Sequence, residues 1–591
     1  MKRERNPLRP VRIANCSGFY GDRASALREM IDGGDIDFVT GDYLAEVTML
    51  VLAKNRLKDP QGGHAALFLK QIGPCLQDIA DKGIRVVVNA GGLNPAGMAA
   101  EIRELCRAAG VSLSIAHVEG DDIVARLPEL RAAGHALRNL DTGEPLASWG
   151  REPLTANAYL GSWGIVAALE AGADIVICPR VTDASVVVGA AAWWHAWQPG
   201  DWDRLAGGVV AGHVIECGTQ ATGGNFSGFQ SIDDLARPGF PLALIESDGS
   251  STITKHAGTG GAVSIGTVTA QLLYEVQGLE YLNPDVTTRL DSIALAQTGP
   301  DQVRISGVRG VPPSPETKVA VTALGGFQNA ATFVLTGLDI DAKAALVERT
   351  IRQRLDGGGI SEITFRRIGA IADDPTDQLA ATNLLQVAVR GEERDVGRRF
   401  FDTIVGLALA NYPGLYTLKG DSRSAKSYGV YWPALIAQSA LDHRAVLADG
   451  SQIPVALPPA FAPPYVTASD TSGDAEDWGP TVSVPLGTIC HARSGDKGGN
   501  ANVGLWTEDS ESARWLAGLL STERFKELIP EARDLTVERY ELPNINAVNF
   551  VVKGLLGGGA TETLRLDSQA KGFSEYVRAK RVGVPARFLP A

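Results

Sequence analysis

Short apolar runs and stretches with helical spacing alternate along the first 180 residues of the chain. The runs at 11–15, 36–43, 84–92 and 174–178 have the apolar character expected of strands that are buried on both faces. Helical stretches lie between them, and one of these opens with Pro95, a residue that favours the first turn of a helix. This alternation predicts an α/β fold with a mainly parallel sheet flanked by helices.

The pattern changes twice further along the chain. Glycine and short β-rich pieces dominate from about 205, where a subdomain boundary would fit the change, and α/β order resumes after about 340. Residues 456–480 are rich in Pro, Ala and acidic residues and show no period, as is typical of a linker. We therefore predict a large α/β domain over 11–455, the linker, and a small α+β domain over 481–586.

Composition narrows the range of partners. Acidic residues outnumber basic ones by 68 to 55, which argues against a nucleic-acid partner because phosphate backbones require a net basic face. The six cysteines are scattered without a Cys-x-x-Cys pair, as in reduced cytosolic proteins. No apolar run is long enough for a membrane helix, and no apolar segment follows the basic N-terminus. We expect a cytoplasmic location, no membrane partner and a homo-oligomer.

No motif in the sequence points to a cofactor. The glycine fingerprint of dinucleotide-binding folds, the phosphate-loop lysine and zinc-type ligand spacing are all absent. We therefore predict no cofactor and no metal, although oxygen-ligand cations such as Mg²⁺ leave no spacing signature.

Polar side chains near the ends of predicted strands are candidates for catalysis, and Arg180 among them is a candidate for substrate binding. Arg180 and Asp183 follow the strand at 174–178, and ligands bind beyond the carboxyl ends of parallel strands. Asp183 could act as a base or simply as an acidic residue in the first turn of a helix. His213 and Glu216 are close enough to form a proton-transfer pair, but in a strand they would point to opposite faces.

Other polar loops of the large domain are candidates for substrate binding. Backbone N–H groups in a glycine–asparagine turn can approach a ligand closely, and His256 precedes a second glycine turn. Arg423 and Lys426 lie in a basic loop that suits a phosphate or a carboxylate, with a solvated loop as the alternative. The residues of the glycine–asparagine turn are Gly223, Gly224 and Asn225.

The stretch "HARSGDKGGNANVG" at 491–504 is the most unusual polar segment. His491 and Asp496 could supply acid and base roles, and Lys497 could stabilise an oxyanion or enolate. The alternative is an ordinary hairpin or helix-entry turn whose charges satisfy one another. Other residues of this segment are candidates for substrate binding, because they could form an anion-binding nest. They are Arg493, Ser494, Gly498, Gly499 and Asn500.

Four motifs in this order carry a resemblance to a known family. "IANCSGFYGDR", "DFVTGDYLAEVTM", "ECGTQATGGNFSG" and "HARSGDKGGNANVG" together resemble the acyclic terpene utilisation family of the AtuA type, over nearly the whole chain. The resemblance implies that 11–455 is the large domain of that family and that 481–586 is its ferredoxin-like domain. It also implies a role in pathways that degrade acyclic terpenes or branched acids as CoA thioesters. It supplies no catalytic residues.

These observations favour an enzyme that acts on an acyl-CoA thioester by acid–base chemistry, as a lyase or hydratase. Under this hypothesis, residues 221–228 and 491–504 should lie close together. The alternative is a non-catalytic acyl-CoA-binding or carboxylase-associated partner. A biotin-carrier motif of the Met-Lys-Met type is absent, so the chain is not itself expected to carry biotin.

Overall fold

The computed structural model describes residues 5–418, 420, 423–464 and 476–590, so residues 465–475 of the predicted linker lie outside the described part. The chain forms two compact units. Unit 1 contains Met1–Thr322, Tyr431–Ala560 and Asp567–Ala591, and unit 2 contains Ala323–Val430 and Thr561–Leu566. The predicted domain boundaries stay predictions.

The strands in the first half of the chain are β1 Val11–Asn15, β2 Phe38–Gly41, β3 Arg85–Val88, β4 Ile115–Glu119, β5 Pro153–Ala158, β6 Ile175–Ile177, β7 Pro241–Ile245, β8 Ser251–Lys255, β9 Glu280–Leu282, β10 Thr287–Arg289, β11 Ala294–Gly299, β12 Gln302–Ser306 and β13 Arg309–Val311. The later strands are β14 Glu316–Thr336, β15 Ile360–Ile368, β16 Thr382–Gly391, β17 Tyr416–Thr417, β18 Lys426–Ala437, β19 Arg444–Val446, β20 Gln452–Pro454, β21 Thr481–Pro485, β22 His491–Lys497, β23 Asn500–Trp506, β24 Val537–Leu542, β25 Ala547–Val552 and β26 Arg581–Pro585.

The α-helices are α1 Ala26–Asp32, α2 Glu46–Lys58, α3 Ala66–Ile72, α4 Leu76–Lys82, α5 Pro95–Ala109, α6 Leu127–Ala132, α7 Trp163–Glu170, α8 Ser185–His195, α9 Trp202–Glu216, α10 Ile265–Leu273, α11 Ile340–Leu355, α12 Phe400–Val405, α13 Ser510–Leu519, α14 Thr522–Leu528 and α15 Phe573–Arg578. Pro95 begins α5, and the side chain of Asn94 accepts a hydrogen bond from Gly97 N at 2.9 Å, so the predicted start of this helix is confirmed. Within the described residues, no helix has both the length and the apolar character that crossing a membrane requires.

The large sheet of unit 1 is mixed, so the prediction of a mainly parallel sheet is wrong. Its strand order is β11-β12-β8-β7-β1-β2-β3-β6-β4-β19-β20, and only the block β1-β2-β3-β6-β4 is parallel. Among the outer strands, β7–β8, β11–β12 and β19–β20 are hairpins, whose connections are too short for the crossover of about a dozen residues that a parallel pair needs. The pairs β1–β7, β8–β12 and β4–β19, which are far apart in sequence, are antiparallel as well.

Helices cover both faces of the parallel block. One apolar core lies between the sheet and helices α7, α8 and α9, and a second lies between the other face and helices α1, α3, α4 and α5. The fold is therefore α/β, as expected, with antiparallel additions at both edges of the sheet.

The C-terminal part of unit 1 has its own sheet, with the antiparallel order β22-β23-β25-β24. Helices α13, α14 and α15 pack against it around Leu516, Phe525 and Phe550. Strands β22 and β23 form a hairpin that turns at Gly498, whose φ of +63° favours glycine. The segment predicted as a polar loop is thus mostly strand, and its residues are largely buried.

Unit 2 is an antiparallel sheet with helices on one face. Strands β15, β16 and the distal part of β14 pair in that order, and β17 lies on the far side of β14. Helices α11 and α12 pack against an apolar face that includes Phe333, Val387 and Val389.

Candidate functional site at the carboxyl edge of the sheet

The carboxyl ends of the parallel strands deliver a set of polar side chains to one edge of the sheet. Asp42 follows β2 and accepts a hydrogen bond from Asn89 Nδ2, which follows β3. Asp121 follows β4 and accepts hydrogen bonds from Asn157 Nδ2 at 2.6 Å and from the backbone N–H of Arg180 at 3.2 Å. This edge is where open α/β sheets place their ligands.

Arg180 anchors the charged groups at this edge. Its side chain is buried and donates to Leu44 O and to Tyr159 Oη, both at 2.7 Å. Asp183, three residues on, lies 3.5 Å from the guanidinium. Arg180 Nε and Asp183 Oδ1 have no hydrogen-bond partner among the described residues, so both retain hydrogen-bonding capacity.

His213 and Glu216 form a direct pair. Helix α9 extends to Glu216, and residues three apart in a helix share a face, so the expectation based on a strand is wrong here. His213 Nδ1 lies 2.9 Å from Glu216 Oε1, and both side chains are buried. Asn15 Nδ2 donates to Ile215 O at 2.6 Å and so fixes the end of α9 against β1. His213 Nε2 and Glu216 Oε2 have no partner in the described part of the chain.

The C-terminal hairpin contributes a lysine to the same region. Lys497 Nζ lies 3.3 Å from Glu275 Oε2, in the connection after α10. Tyr281 lies beside them, with its ring centroid 5.0 Å from that of His213. We call this set, together with Arg180, Asp183, His213 and Glu216, the charged cluster.

A second ion pair borders the charged cluster. Lys318 Nζ and Tyr159 Oη both donate to Glu46 Oε1, at 3.2 and 2.9 Å. The Lys318 ammonium also lies over the rings of Tyr159 and Tyr431, at 5.1 and 5.6 Å from their centroids. Two ionised pairs and Arg180 therefore meet at one edge of the sheet.

Glu275, Tyr281 and Lys497 of the charged cluster line a cavity. The side chains of Asp183, Lys497 and Glu275 retain 18%, 26% and 29% of their accessible surface although protein desolvates them strongly. A cavity of about 300 Å³ is lined by Glu275, Tyr281 and Lys497 together with Leu279 and Tyr540. The cavity therefore has charged groups at one part of its lining and apolar side chains at another, as in many small-molecule sites.

Burial and mutual charge shift the pKa values of the carboxyl groups apart. Burial, reinforced by Asp183, raises the pKa of Glu216 to about 7, although His213 acts in the opposite direction. Burial raises the pKa of Asp183 despite Arg180 and Lys497. Burial also acts to raise the pKa of Glu275, but Lys497 and Lys571 outweigh it and lower that pKa. Carboxyl groups with divergent pKa values are typical of acid–base sites.

The acidic groups around them raise the pKa values of Lys497 and His213. Burial lowers the pKa of Lys497, but Glu275, Tyr281, Glu46 and Asp183 outweigh it, so the net shift is upward. For His213, the charge and hydrogen bond of Glu216 outweigh burial and raise the pKa. Lys497 is therefore a fixed positive charge rather than a nucleophilic amine.

Within the described residues, no three His, Cys, Asp or Glu side chains are arranged to hold a metal ion.

The rest of the C-terminal candidates lie along the hairpin but have other partners. Asp496 lies next to Lys497, and burial and Glu275 raise its pKa to about 7. Arg493 lies 4.3 Å over the ring of Tyr274. Ser494 Oγ donates to Ala570 O at 2.6 Å, and Asn500 Nδ2 donates to Asp141 Oδ1 at 3.0 Å. Gly498 and Gly499 form the turn between the strands.

The predicted contact between 221–228 and 491–504 is confirmed. Ser227 Oγ lies 3.1 Å from His491 Nδ1, and the ring of Phe226 stacks on that of His491 at 5.1 Å. His491 and Lys497 occupy opposite ends of β22, about 20 Å apart by strand geometry. His491 lines a separate groove with Phe226 and Trp506.

The remaining candidates lie elsewhere. Gly223 and Asn225 adopt positive φ in a tight turn with Gly224 between them. The ring of His256 packs on Gly33, and its Nε2 lies 3.0 Å from Met30 O at the end of α1. Arg423, which lies over the ring of Phe401, and Lys426 belong to unit 2. The binding roles predicted for these residues stay predictions.

Several charged residues at this edge were not among the predicted site residues. Glu46 opens a helix within the motif "DFVTGDYLAEVTM", Glu275 lies between α10 and β9, and Lys318 lies within a strand, so no single motif unites them. The positive φ of Glu275, +60°, is unusual for a residue other than glycine, and no local motif announces it.

Comparisons with known proteins identify the family. Residues 11–447 match the model of the acyclic terpene utilisation family protein AtuA, and residues 484–583 match the AtuA ferredoxin-like domain. Since these matches span most of the chain, the protein belongs to the acyclic terpene utilisation family, and the resemblance in its motifs is confirmed. No curated protein matches the chain.

Proposed function

We propose that the protein is an enzyme of acyclic terpene or branched-chain acyl-CoA breakdown that acts on an acyl-CoA thioester as a lyase or hydratase. The observation that carries the proposal is the charged cluster. There, His213 Nε2, Glu216 Oε2 and Asp183 Oδ1 lack hydrogen-bond partners among the described residues, and Lys497 adds a fixed positive charge. Buried polar groups without partners are rare in folded proteins and point to a ligand.

The residues divide into acid, base and electrostatic roles. The His213–Glu216 pair takes the proton from the carbon next to the thioester carbonyl. Lys497 and Arg180 stabilise the negative charge that develops on the carbonyl oxygen. Asp183, whose pKa is raised, gives a proton to the departing hydroxyl group in the dehydration direction and removes one from water in the reverse direction.

The test is hydrogen exchange at the acidic carbon. Purified protein is incubated in D₂O with geranyl-CoA and with branched-chain acyl-CoA thioesters, and mass spectrometry follows deuterium uptake and the gain or loss of water. We expect uptake with at least one thioester, and a loss of about 100-fold or more in His213→Gln.

A second His–Glu pair supplies the matched control. His64 Nε2 lies 2.8 Å from Glu101 Oε1, and neither residue belongs to the charged cluster, so His64→Gln should leave the exchange rate unchanged. Thioester binding without any uptake or turnover would contradict the enzyme proposal and favour the non-catalytic acyl-CoA-binding partner.

A further inference from the structure

Unit 2 contains a concentration of arginines that the proposed function does not use. In the register of its sheet, Arg390 of β16 pairs with Gln328 of β14 on one side and with Glu362 of β15 on the other. Residues directly opposite on antiparallel strands share a face, so these three side chains form one row. The next rows on the same face contain Thr364 and then Arg366, at alternate positions of β15.

This face is polar, whereas the opposite face is apolar. Phe333, Val387 and Val389 occupy the opposite face and pack against α11 and α12. A polar sheet face ordinarily carries solvated side chains. Here, however, Arg390 retains only 11% of its side-chain surface, and its guanidinium lies 4.9 Å over the ring of Tyr428.

Several hydrogen-bonding groups on this face have no partner among the described residues. Arg390 Nη1 pairs with Glu362 Oε2 at 3.0 Å, but Arg390 Nε and Nη2 have no partner among the described residues. The same is true of Arg366 Nη1, Gln328 Oε1 and Thr364 Oγ1. Leaving several buried polar atoms unpaired on one face costs free energy, and a bound ligand would recover it.

The charges on this face are also out of balance. Arg565, in the segment Thr561–Leu566 of the same unit, lies close enough to Arg366 that burial and this like charge together lower the pKa of Arg366. Arg366 and Arg390 therefore both lie near the carboxylate of Glu362, and Arg565 lies near Arg366. Guanidinium groups bind phosphate oxygens through paired hydrogen bonds, so a phosphate would both neutralise and satisfy them.

We propose that Arg366, Arg390 and Arg565 form an anion site that binds a phosphate group. Thr364 and Gln328 contribute polar contacts at the same face. The phosphate could be free or part of a larger molecule such as a nucleotide-bearing cofactor ester, and the arginines recognise the chemistry common to both.

The test is calorimetric titration of the full-length protein with inorganic phosphate, CoA and dephospho-CoA. Binding of all three would indicate recognition of any phosphate, and preference for CoA over dephospho-CoA would assign the site to its 3′-phosphate. In Arg366→Gln and Arg390→Gln we expect affinity to fall about tenfold or more, because each removes a charge-assisted hydrogen bond.

Arg367→Gln is the matched control. Arg367 follows Arg366 in the same strand, points to the opposite face of the sheet and pairs with Asp341. The substitution Arg367→Gln therefore removes the same charge from the opposite face. Equal affinity in wild type, Arg366→Gln and Arg367→Gln, or no binding of any phosphate by folded wild-type protein, would overturn the proposal. These outcomes are independent of turnover, so they separate this site from the charged cluster.

Discussion

Asp37 is a buried carboxylate held by two arginines. Its oxygens accept from Arg9 Nη1 at 2.7 Å and from Arg12 Nη2 at 3.0 Å, and its own side chain is 1% exposed. Burial acts to raise the pKa of Asp37, but these hydrogen bonds outweigh it and lower the pKa well below its ordinary value. Its ionised form therefore stabilises the strand pair β1–β2.

We expect Asp37→Asn to destabilise the protein by about 2 kcal/mol at neutral pH, because a buried ion pair loses one partner while both arginines remain partly exposed. Because folding lowers the pKa of Asp37, its ionised side chain contributes fully to the free energy of unfolding above the unfolded-state pKa of about 3.9. This contribution is lost as the pH falls through the folded-state pKa. Urea unfolding at pH 7 and pH 3 measures both effects. A difference between variant and wild type that grows on acidification would contradict this account.

Asp121 shows the opposite behaviour. Burial, with a contribution from Asp122, raises its pKa to about 7, despite the hydrogen bonds from Asn157 and Arg180. The folded state therefore binds a proton that the unfolded state releases above about pH 4. Between these values, the stability contributed by this group falls as pH rises.

Asp121→Asn mimics the protonated carboxyl group. The variant should gain stability relative to wild type, by up to about 4 kcal/mol, as pH rises from about 4 to about 7. Unfolding free energies measured at several pH values within this window test the prediction. A constant difference across the window would show that the pKa of Asp121 is not raised.

At the scale of single residues, the sequence predicted candidate site residues at the ends of strands. Arg180 and Asp183 could be found because they follow an apolar run at a predictable edge. Glu46, Glu275 and Lys318 were not predicted, because they are far apart in the sequence and only tertiary folding brings each beside its charged partner. These residues are recognised only by their ion pairs in the folded structure, which a single sequence does not contain.

Among the elements, the hairpin β22–β23 determines how the C-terminal part meets the large sheet's helices. Asn502 Nδ2 donates to Leu273 O at 2.7 Å, and its Oδ1 accepts from Glu275 N at 3.0 Å. Gly504, two residues on, faces Leu273 so closely that a Cβ would lie 2.7 Å from Leu273 Cβ. The hairpin thus holds both the end of α10 and the backbone of Glu275.

Gly504→Ala should destabilise the protein by about 1–3 kcal/mol, since the backbone of α10 or β23 must shift to admit the methyl group. Gly518→Ala is the control: nothing lies within 4 Å of its Cβ position, and an exposed helix favours alanine over glycine. Thermal unfolding of the two variants measures the difference. A Gly504→Ala protein as stable as the control would mean that the hairpin does not pack tightly on α10.

The pattern of elements was predictable where periodicity was strong. The early strands and helices, including α5, follow from apolar runs and capping residues. The end of helix α9 was not predicted, because its glycines are typical of a loop. Gly212, for example, packs closely against Ala184, so helix packing rather than a turn explains why this residue is glycine. The antiparallel edges were missed because a short apolar run has no intrinsic direction.

At the scale of the whole molecule, unit 1 completes its site with residues from both family-matched segments. The His213–Glu216 pair comes from the first and Lys497 from the second. The central claim is that these groups act on one substrate. Groups that act together in one transition state show strongly non-additive effects when removed singly and jointly.

The most direct measurement is a double-mutant cycle on the rate of deuterium exchange into a responsive acyl-CoA thioester. His213→Gln and Lys497→Met should each lower the rate by about 100-fold or more, and the double variant should be little slower than the slower single variant. Lys497→Met with an unchanged rate, or multiplicative losses in the double variant, would contradict the claim of a shared site.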